Sequence, residues 1–301
     1  MTLRSGVEDA FRGLTFERIE SFLAVAAAGG IANAAPGNAS RQSQLSRQLR
    51  EVSEALGFEV VERVGRNIEL TDDGRRACAL FRDFASALGA MKQERTEAPL
   101  RLSLAAGDSV LRWVVLPTLH EALSKQHRVD LSLSAVTNGY RAVRDATFDM
   151  AICRTRKARD EGMKTTRVGS LRYAVFAPSA WKRRKDSQRF LESWPFVYVT
   201  GAPDLMGSFE ELVGSPRIAL RCETFPQAAL AVRSGHYAAL LPTPAARELA
   251  EGSVYALELD GLARLSLPLS LVARERRISA SPTFAAFYRA MASQLERALK
   301  A

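Results

Sequence analysis

The segment from Ser40 to Leu56 constrains the chain most, because its two sides ask for opposite surroundings. Wound at about 100° per residue, Leu45, Leu49, Val52 and Leu56 fall within one narrow arc. Ser43, Arg47, Arg50 and Glu54 fall on the opposite arc, with Gln44 and Ser46 on its flanks. One side wants a core; the other is polar and locally basic. Ser40 reads as the N-cap of this helix and Gly57 as its stop. Upstream, Ile19, Phe22, Leu23 and Ala26 recur at helical spacing between Thr15 and Ala28, and Gly29-Gly30 closes that helix. A short helix from Ile31 to Ala35 follows, ended by Pro36-Gly37-Asn38. Downstream, Val60 to Leu70 reads as a hairpin turning near Gly65-Arg66-Asn67.

Thr71 then caps a long helix, with Asp72 and Asp73 suited to its positive end. Its apolar positions Ala77, Phe81, Phe84, Leu88 and Met91 are spaced 4, 3, 4, 3. That heptad seam points to pairing with the same helix of a second subunit, against the alternative of packing on its own domain. After a polar hinge from Glu94 to Pro99 the pattern changes to strands alternating with helices. Candidate strands are 100–106, 129–136, 150–153, 172–177, 196–200, 217–221, 238–241 and 267–273. The alternation predicts α/β sheets with mostly parallel strands.

The stretch from Gly29 to Ala35, followed by Arg41-Gln42-Ser43-Gln44-Leu45-Ser46-Arg47-Gln48-Leu49, resembles the helix-turn-helix of LysR-type transcriptional regulators. Leu56-Gly57, Val61-Glu62-Arg63, Arg66 and Leu70-Thr71 with Gly74 resemble that family's wing and its entry into the linker helix. Pro36, Gly37, Asn38 and Arg41 depart from the commoner family pattern and mark a variant turn. The C-terminal part is similar to the family's effector domain at Leu116-Pro117, 148–152, 231–235, 239–242 and 268–272. The resemblance runs from about residue 14 to 295 and implies an α/β fold. It comprises an N-terminal winged helix-turn-helix, a long linker helix and a two-lobed effector domain like a periplasmic binding protein. The implied units are an extension (1–13), the DNA-binding domain (14–71), the linker helix with hinge (72–97) and the effector-binding and oligomerisation domain (98–301).

A polar helix face opposite an apolar stripe can enter a major groove. Gln42, Ser43, Gln44 and Arg47 offer hydrogen bonds to base edges, whereas Ser46, Arg50, Arg63 and Arg66 suit phosphates. Arg41 completes the candidate DNA-binding set. In the implied two-lobed domain, ligands sit in the cleft at strand C-terminal ends. The residues there are Asp108, Ser109, Thr137, Asn138, Arg154, Thr200, Gly201, Thr224 and Thr243. Ser109 at a helix start and Arg154 suit an anion, so a small organic acid is the expected effector, with Asp108 arguing against it.

Charge does not support DNA binding in the simple way. The chain carries 42 basic and 33 acidic residues, but residues 1–97 hold 13 basic and 14 acidic ones. The whole excess lies in 98–301, so any DNA surface is a local patch. The run Lys182-Arg183-Arg184-Lys185 reads as a solvated helix end. Cys78, Cys153 and Cys222 lack disulfide or zinc spacing, and His120, His127 and His236 lack ligand spacing, so neither metal nor cofactor is expected. The sequence has no Gly-rich phosphate loop or Gly-x-Ser-x-Gly elbow, which argues against an enzyme. The first residues lack an apolar core and do not read as a secretory signal, and no apolar run approaches a membrane span. The expectation is a cytoplasmic regulator of double-stranded DNA, working as a homodimer or homotetramer. RNA polymerase stands as a further candidate partner. Two other readings are a regulator whose C-terminal domain only oligomerises and a solute-binding receptor; the N-terminal helices speak against the second.

Overall fold

The computed structural model describes residues 11–64, 67–94, 98–124, 129–156, 158, 160–184, 190–249, 254–257, 259 and 261–300. The N-terminal unit is built from α1 (Phe16–Ala28), α2 (Ile31–Ala34) and α3 (Ala39–Leu56), then the antiparallel pair β1 (Val61–Val64) and β2 (Asn67–Leu70). Thr15 caps α1, its hydroxyl accepting from the Arg18 N–H, and Gly29 ends it in the left-handed region at φ 70°. The cap of α3 differs from the expected Ser40. Asn38 takes that position, its side-chain oxygen accepting from the Arg41 N–H at 2.9 Å, and Ser40 lies inside the first turn. An Asx side chain reaches the third residue's amide at least as well as serine does, so the preceding Pro36-Gly37 turn decides which residue is used. Ile19, Phe22, Val25, Leu45, Leu49, Val52 and Val60 form the core of this unit, together with Ala77, Cys78 and Phe81 of α4 (Asp72–Glu94).

Beyond the hinge, two five-stranded sheets form two lobes. The first contains β3 (Leu100–Ala106), β4 (Val129–Ala135), β5 (Met150–Arg154), β6 (Met163–Leu171) and β12 (Leu267–Arg274), in the order β4-β3-β5-β12-β6. The second contains β7 (Tyr173–Pro178), β8 (Phe196–Val199), β9 (Ile218–Cys222), β10 (Ala238–Pro242) and β11 (Val254–Leu257), in the order β11-β7-β10-β8-β9. The expectation of mostly parallel strands holds for four of the five strands in each sheet, with one reversed strand in each. β3 pairs in parallel with β4 and β5, and β8 with β9 and β10. However, β12 is antiparallel to β5 and β6, and β7 is antiparallel to β10 and β11. These are the strands that carry the chain from one lobe to the other and back: only Arg172 separates β6 from β7. A returning strand cannot share the direction that helical crossovers impose on its neighbours.

The helices that frame the lobes are α5 (108–124), α6 (Gly139–Arg144), α7 (Phe190–Ser193), α8 (Pro203–Val213), α9 (Phe225–Arg233), α10 (Ala246–Leu249), α11 (Glu275–Ser279) and α12 (Pro282–Lys300). α5 runs Asp108–Val110, then a π-helical turn Leu111–Val115, then Leu116–Ser124. One buried apolar cluster extends through both lobes, from Leu102 and Ile152 to Phe196, Phe209 and Leu241. The C-terminal α12 seals it with Phe284, Phe287, Tyr288, Met291 and Leu295. Among the described residues no helix is long and apolar enough to cross a membrane.

Candidate nucleic-acid interface and effector cleft

The division of α3 into two faces is present in three dimensions. Leu45, Leu49 and Val52 are buried, whereas Arg41, Ser43, Ser46, Arg47 and Arg50 are exposed on the outer side. Among the described candidate DNA contacts, Gln42, Gln44 and Arg41 hydrogen-bond within the protein itself, and Arg47 stands 4.0 Å from Glu51. The Gln42 amide donates to the Ala35 carbonyl at 2.8 Å and so fixes the turn before α3. Gln44 accepts from Arg41 at 2.9 Å, and its own amide lies 3.5 Å from Glu17. Glu17 also accepts from Gln48 at 2.9 Å, and Arg18 pairs with Glu51 at 2.8 Å, so α1 and α3 are clamped in one orientation. Arg63 is exposed on β1; Arg66, in the wing turn, lies outside the described residues.

The heptad seam of α4 divides. Ala77 and Phe81 are 7% exposed and belong to the core of the N-terminal unit, Phe81 meeting Phe22 edge-on at 6.1 Å. Phe84, Leu88 and Met91 are exposed, with Leu80 beside them, and Phe84 stacks on the exposed Phe16 at 6.4 Å. A partner helix would therefore meet the C-terminal part of the seam.

The residues expected at the effector cleft sit at ends of strands in both lobes, but several have local duties. Asp108 is exposed and Ser109 half-buried in the first turn of α5. Thr137 and Arg154 are exposed after β4 and at the end of β5. The Thr200 hydroxyl donates to the Cys222 carbonyl at 3.1 Å, tying β8 to β9. Gly201 leaves no room for a side chain, since a Cβ would stand 2.3 Å from the Glu223 carbonyl oxygen. Thr224 caps α9 in a capping box with Gln227. Thr243 is half-buried after β10. Asn138 caps α6 and lines a cavity facing α4. Of the run 182–185, no side chain is among the described groups.

Sequence reasoning missed a polar contact of three hydrogen bonds between the lobes. The π-helical turn of α5 presents Arg112 and Trp113 to Glu248 of α10. The Arg112 guanidinium donates two hydrogen bonds to that carboxylate, at 2.7 and 2.8 Å, and the Trp113 indole N–H donates a third at 2.8 Å. Arg233 of α9 stands 3.9 Å away. The bidentate Arg112, helped by Trp113 and Arg233, pulls the Glu248 carboxyl from the ordinary 4.5 down to about 2. The only local signal was a π turn, which often marks functional positions but leaves no spacing to read. A carboxyl whose folded pKa is depressed contributes stability above its unfolded pKa and loses it as pH falls through the folded one. The lobe-to-lobe tie is therefore expected to be intact above about pH 4.5 and to fail towards about pH 2. Glu248→Gln should lower stability at neutral pH by about 2 kcal/mol and flatten the acid limb of a Tm-against-pH curve. An unchanged acid limb would contradict the assignment.

A winged helix-turn-helix joined by a long helix to a two-lobed α/β domain is the build of a DNA-binding transcription regulator with an effector-binding domain. Residues 16–75 match the bacterial regulatory helix-turn-helix protein, lysR family, and residues 96–296 match the LysR substrate binding domain. The chain belongs to the LysR family. An HTH-type transcriptional repressor of Pseudomonas aeruginosa is 27% identical over 119 residues, a stretch covering 38% of this chain and 38% of the repressor. Among solved structures, ArgP from Mycobacterium tuberculosis superposes with a TM-score of 0.68 at 17% identity, covering 94% of this chain and 97% of ArgP. Full-length LysG from Corynebacterium glutamicum with bound effector Arg gives 0.66 at 18% identity, covering 94% and 99%. Full-length CbnR complexed with its target DNA gives 0.56 at 19% identity, covering 93% and 100%. At such identities the likeness is one of fold.

Proposed function

We propose that this protein reads a specific operator through the outer face of α3 and alters that reading when a small organic acid enters the cleft between its lobes. The observation that carries the first half is the exposed array Arg41, Ser43, Ser46, Arg47 and Arg50, set opposite a fully buried Leu45-Leu49-Val52 stripe. Short polar side chains and arginines on one helix face can dock in a major groove and hydrogen-bond base edges. Ser43, Gln44 and Arg47 read bases, Arg50 and the wing residues Arg63 and Arg66 meet phosphates, and Gln42 holds the turn in place. The CbnR–DNA complex is the precedent on the side of the fold.

Arg47→Ala is expected to weaken binding to the specific operator by about 1–3 kcal/mol and to relax sequence preference. Arg63→Ala should weaken all sequences alike and reduce the salt slope of affinity by about 1. Operators obtained by genome-wide binding-site mapping, then titrated by fluorescence anisotropy at several salt concentrations, test both. Equal, sequence-independent losses in the two variants would overturn the division of roles.

For the effector, Ser109 at the start of α5 and the exposed Arg154 supply an anion's donors, and Thr137, Thr200 and Thr243 supply neutral ones. Calorimetry against a panel of carboxylates tests this; no heat from any of them overturns the ligand class. Self-association follows from the exposed apolar part of α4, Leu80, Phe84, Leu88 and Met91, which a second copy of the helix would cover. Leu116 on α5 and Leu230 on α9 are also exposed and provide a second apolar surface for a larger assembly.

A further inference from the structure

Where the N-terminal end of α4 faces the first lobe, there is a cavity of about 380 Å³ whose wall carries four arginines: Arg75, Arg141, Arg144 and Arg156. Asn138 and Tyr140 supply further polar groups. The arginines come from three places in the chain, α4, α6 and the segment after β5. Their carboxylate partners are fewer. Asp72 holds Arg75 at 2.5 Å and Asp160 holds Arg156 at 3.5 Å, but Asp145 serves both Arg141, at 3.3 Å, and Arg144, at 3.0 Å. Among the described residues, four guanidiniums therefore face three carboxylates.

The manner of pairing matters as much as the count. Arg141 and Arg144 reach Asp145 through Nε, a contact that does not need the end-on edge formed by the two Nη groups of each guanidinium. Arg156 lies over the Tyr140 ring with its guanidinium carbon 4.3 Å from the centroid, which restrains the plane of its fork. Tyr140 is 7% exposed and donates its hydroxyl to Asp160 at 2.7 Å, so the ring beneath Arg156 is itself fixed. Restrained guanidiniums with terminal N–H groups to spare match the flat, multi-oxygen geometry of carboxylate and phosphate better than any other ligand. We infer that this cavity is a binding site for a small multivalent oxyanion, a phosphate or polycarboxylate, separate from the cleft between the lobes. Arg75 belongs to the linker helix and Arg141, Arg144 and Arg156 belong to the first lobe, so an occupant bridges the DNA-reading half and the sensing half. It would thereby restrict how the two halves move against each other.

The test is isothermal titration of the full chain with inorganic phosphate, tripolyphosphate and citrate at constant ionic strength. A saturable site of one anion per chain is expected, and the tighter ligand shows whether phosphate or carboxylate is the natural source. R141Q/R156Q should weaken that site at least tenfold with an unchanged far-ultraviolet spectrum, whereas R154A in the inter-lobe cleft should leave it as it was. If R141Q/R156Q does not fold, R144Q carries the same expectation with a smaller loss. The inference is overturned by no saturable heat in the wild type. It is equally overturned by undiminished binding in R141Q/R156Q and R144Q, or by loss in R154A instead. A failure of the carboxylate panel at the cleft leaves this result untouched, because the two sites share no arginine.

Discussion

Asp83→Ala is expected to destabilise the protein by about 3–5 kcal/mol, the cost of leaving one partner of a buried ion pair alone. Asp83 lies on α4 and Arg274 at the end of β12; they meet at 2.7 Å with only about a tenth of either side chain exposed. Arg274 also donates to the carbonyls of Val143 and, at 3.0 Å, Phe148. Beside it, Arg277 pairs with Asp149 at 2.9 Å, and Asp149 accepts from both the backbone and the hydroxyl of Ser103. Arg82 adds a hydrogen bond to the Asp145 carbonyl at 2.9 Å. The linker helix is thus fastened to the first lobe through a largely buried network. Removing the carboxylate strands a guanidinium there. Asp83→Asn keeps a hydrogen-bond acceptor and should lose about half as much, and Asp83→Ala combined with Arg274→Met should recover a large part of the loss. Thermal unfolding with limited proteolysis near the hinge measures the effect. A loss under about 1 kcal/mol for Asp83→Ala would show that the pair is solvated and does not fasten the two halves.

Gly74→Ala should be nearly as damaging, at about 3 kcal/mol or more, although the same change in an open helix stabilises by about 1 kcal/mol. The sign is decided by space. A Cβ at Gly74 would stand 1.9 Å from the Val60 carbonyl oxygen and 2.8 Å from its carbon, and backbone cannot turn aside as a side chain can. The contact is at the wing's base: Thr71 N–H donates to that same Val60 carbonyl, and the Thr71 hydroxyl donates to Glu59 at 2.7 Å and accepts from the Gly74 N–H. Adding a methyl group forces α4 away from β1 and tilts the wing relative to α3. Circular dichroism melts and operator binding should both register it. Full retention of both would mean that the linker helix can shift without cost.

Much of this molecule is written in local spacing. Helix α1 with its Gly29 stop, the wing strands, α4 from Thr71 onward and the strands β3, β4, β5, β8, β9 and β10 all follow from periodicity and cap chemistry. β6, β11 and α12 were not legible. β6 reads Met-Lys-Thr-Thr-Arg-Val-Gly-Ser-Leu, too polar for a core strand, and holds its place by pairing with β12 along its length. The candidate site was legible to a similar degree. The polar face of α3 could be listed from the sequence, but Gln42 could not be told from its neighbours, because its partner is a carbonyl across the turn at Ala35. The seam on α4 likewise gave one uniform stripe, and only packing against Phe22 separates Phe81 from Phe84.

Helix α3 shows the same division between local pattern and packing. By itself the sequence determined that residues 40–56 form a helix with an apolar side and an arginine-bearing side, since a 3.6-residue period fixes which side chains share a face. It also determined that a linker helix and alternating strands and helices follow, and it carried the family's motifs in order. Only the tertiary structure decided that β12 and β7 run against their neighbours, that Arg112 grips Glu248 136 residues away, and that Asp83 meets Arg274 191 residues away. Secondary structure follows from neighbours a few residues apart. Charge pairs between lobes and across the linker form at sequence separations where no spacing rule acts, and their partners are set by how whole elements pack.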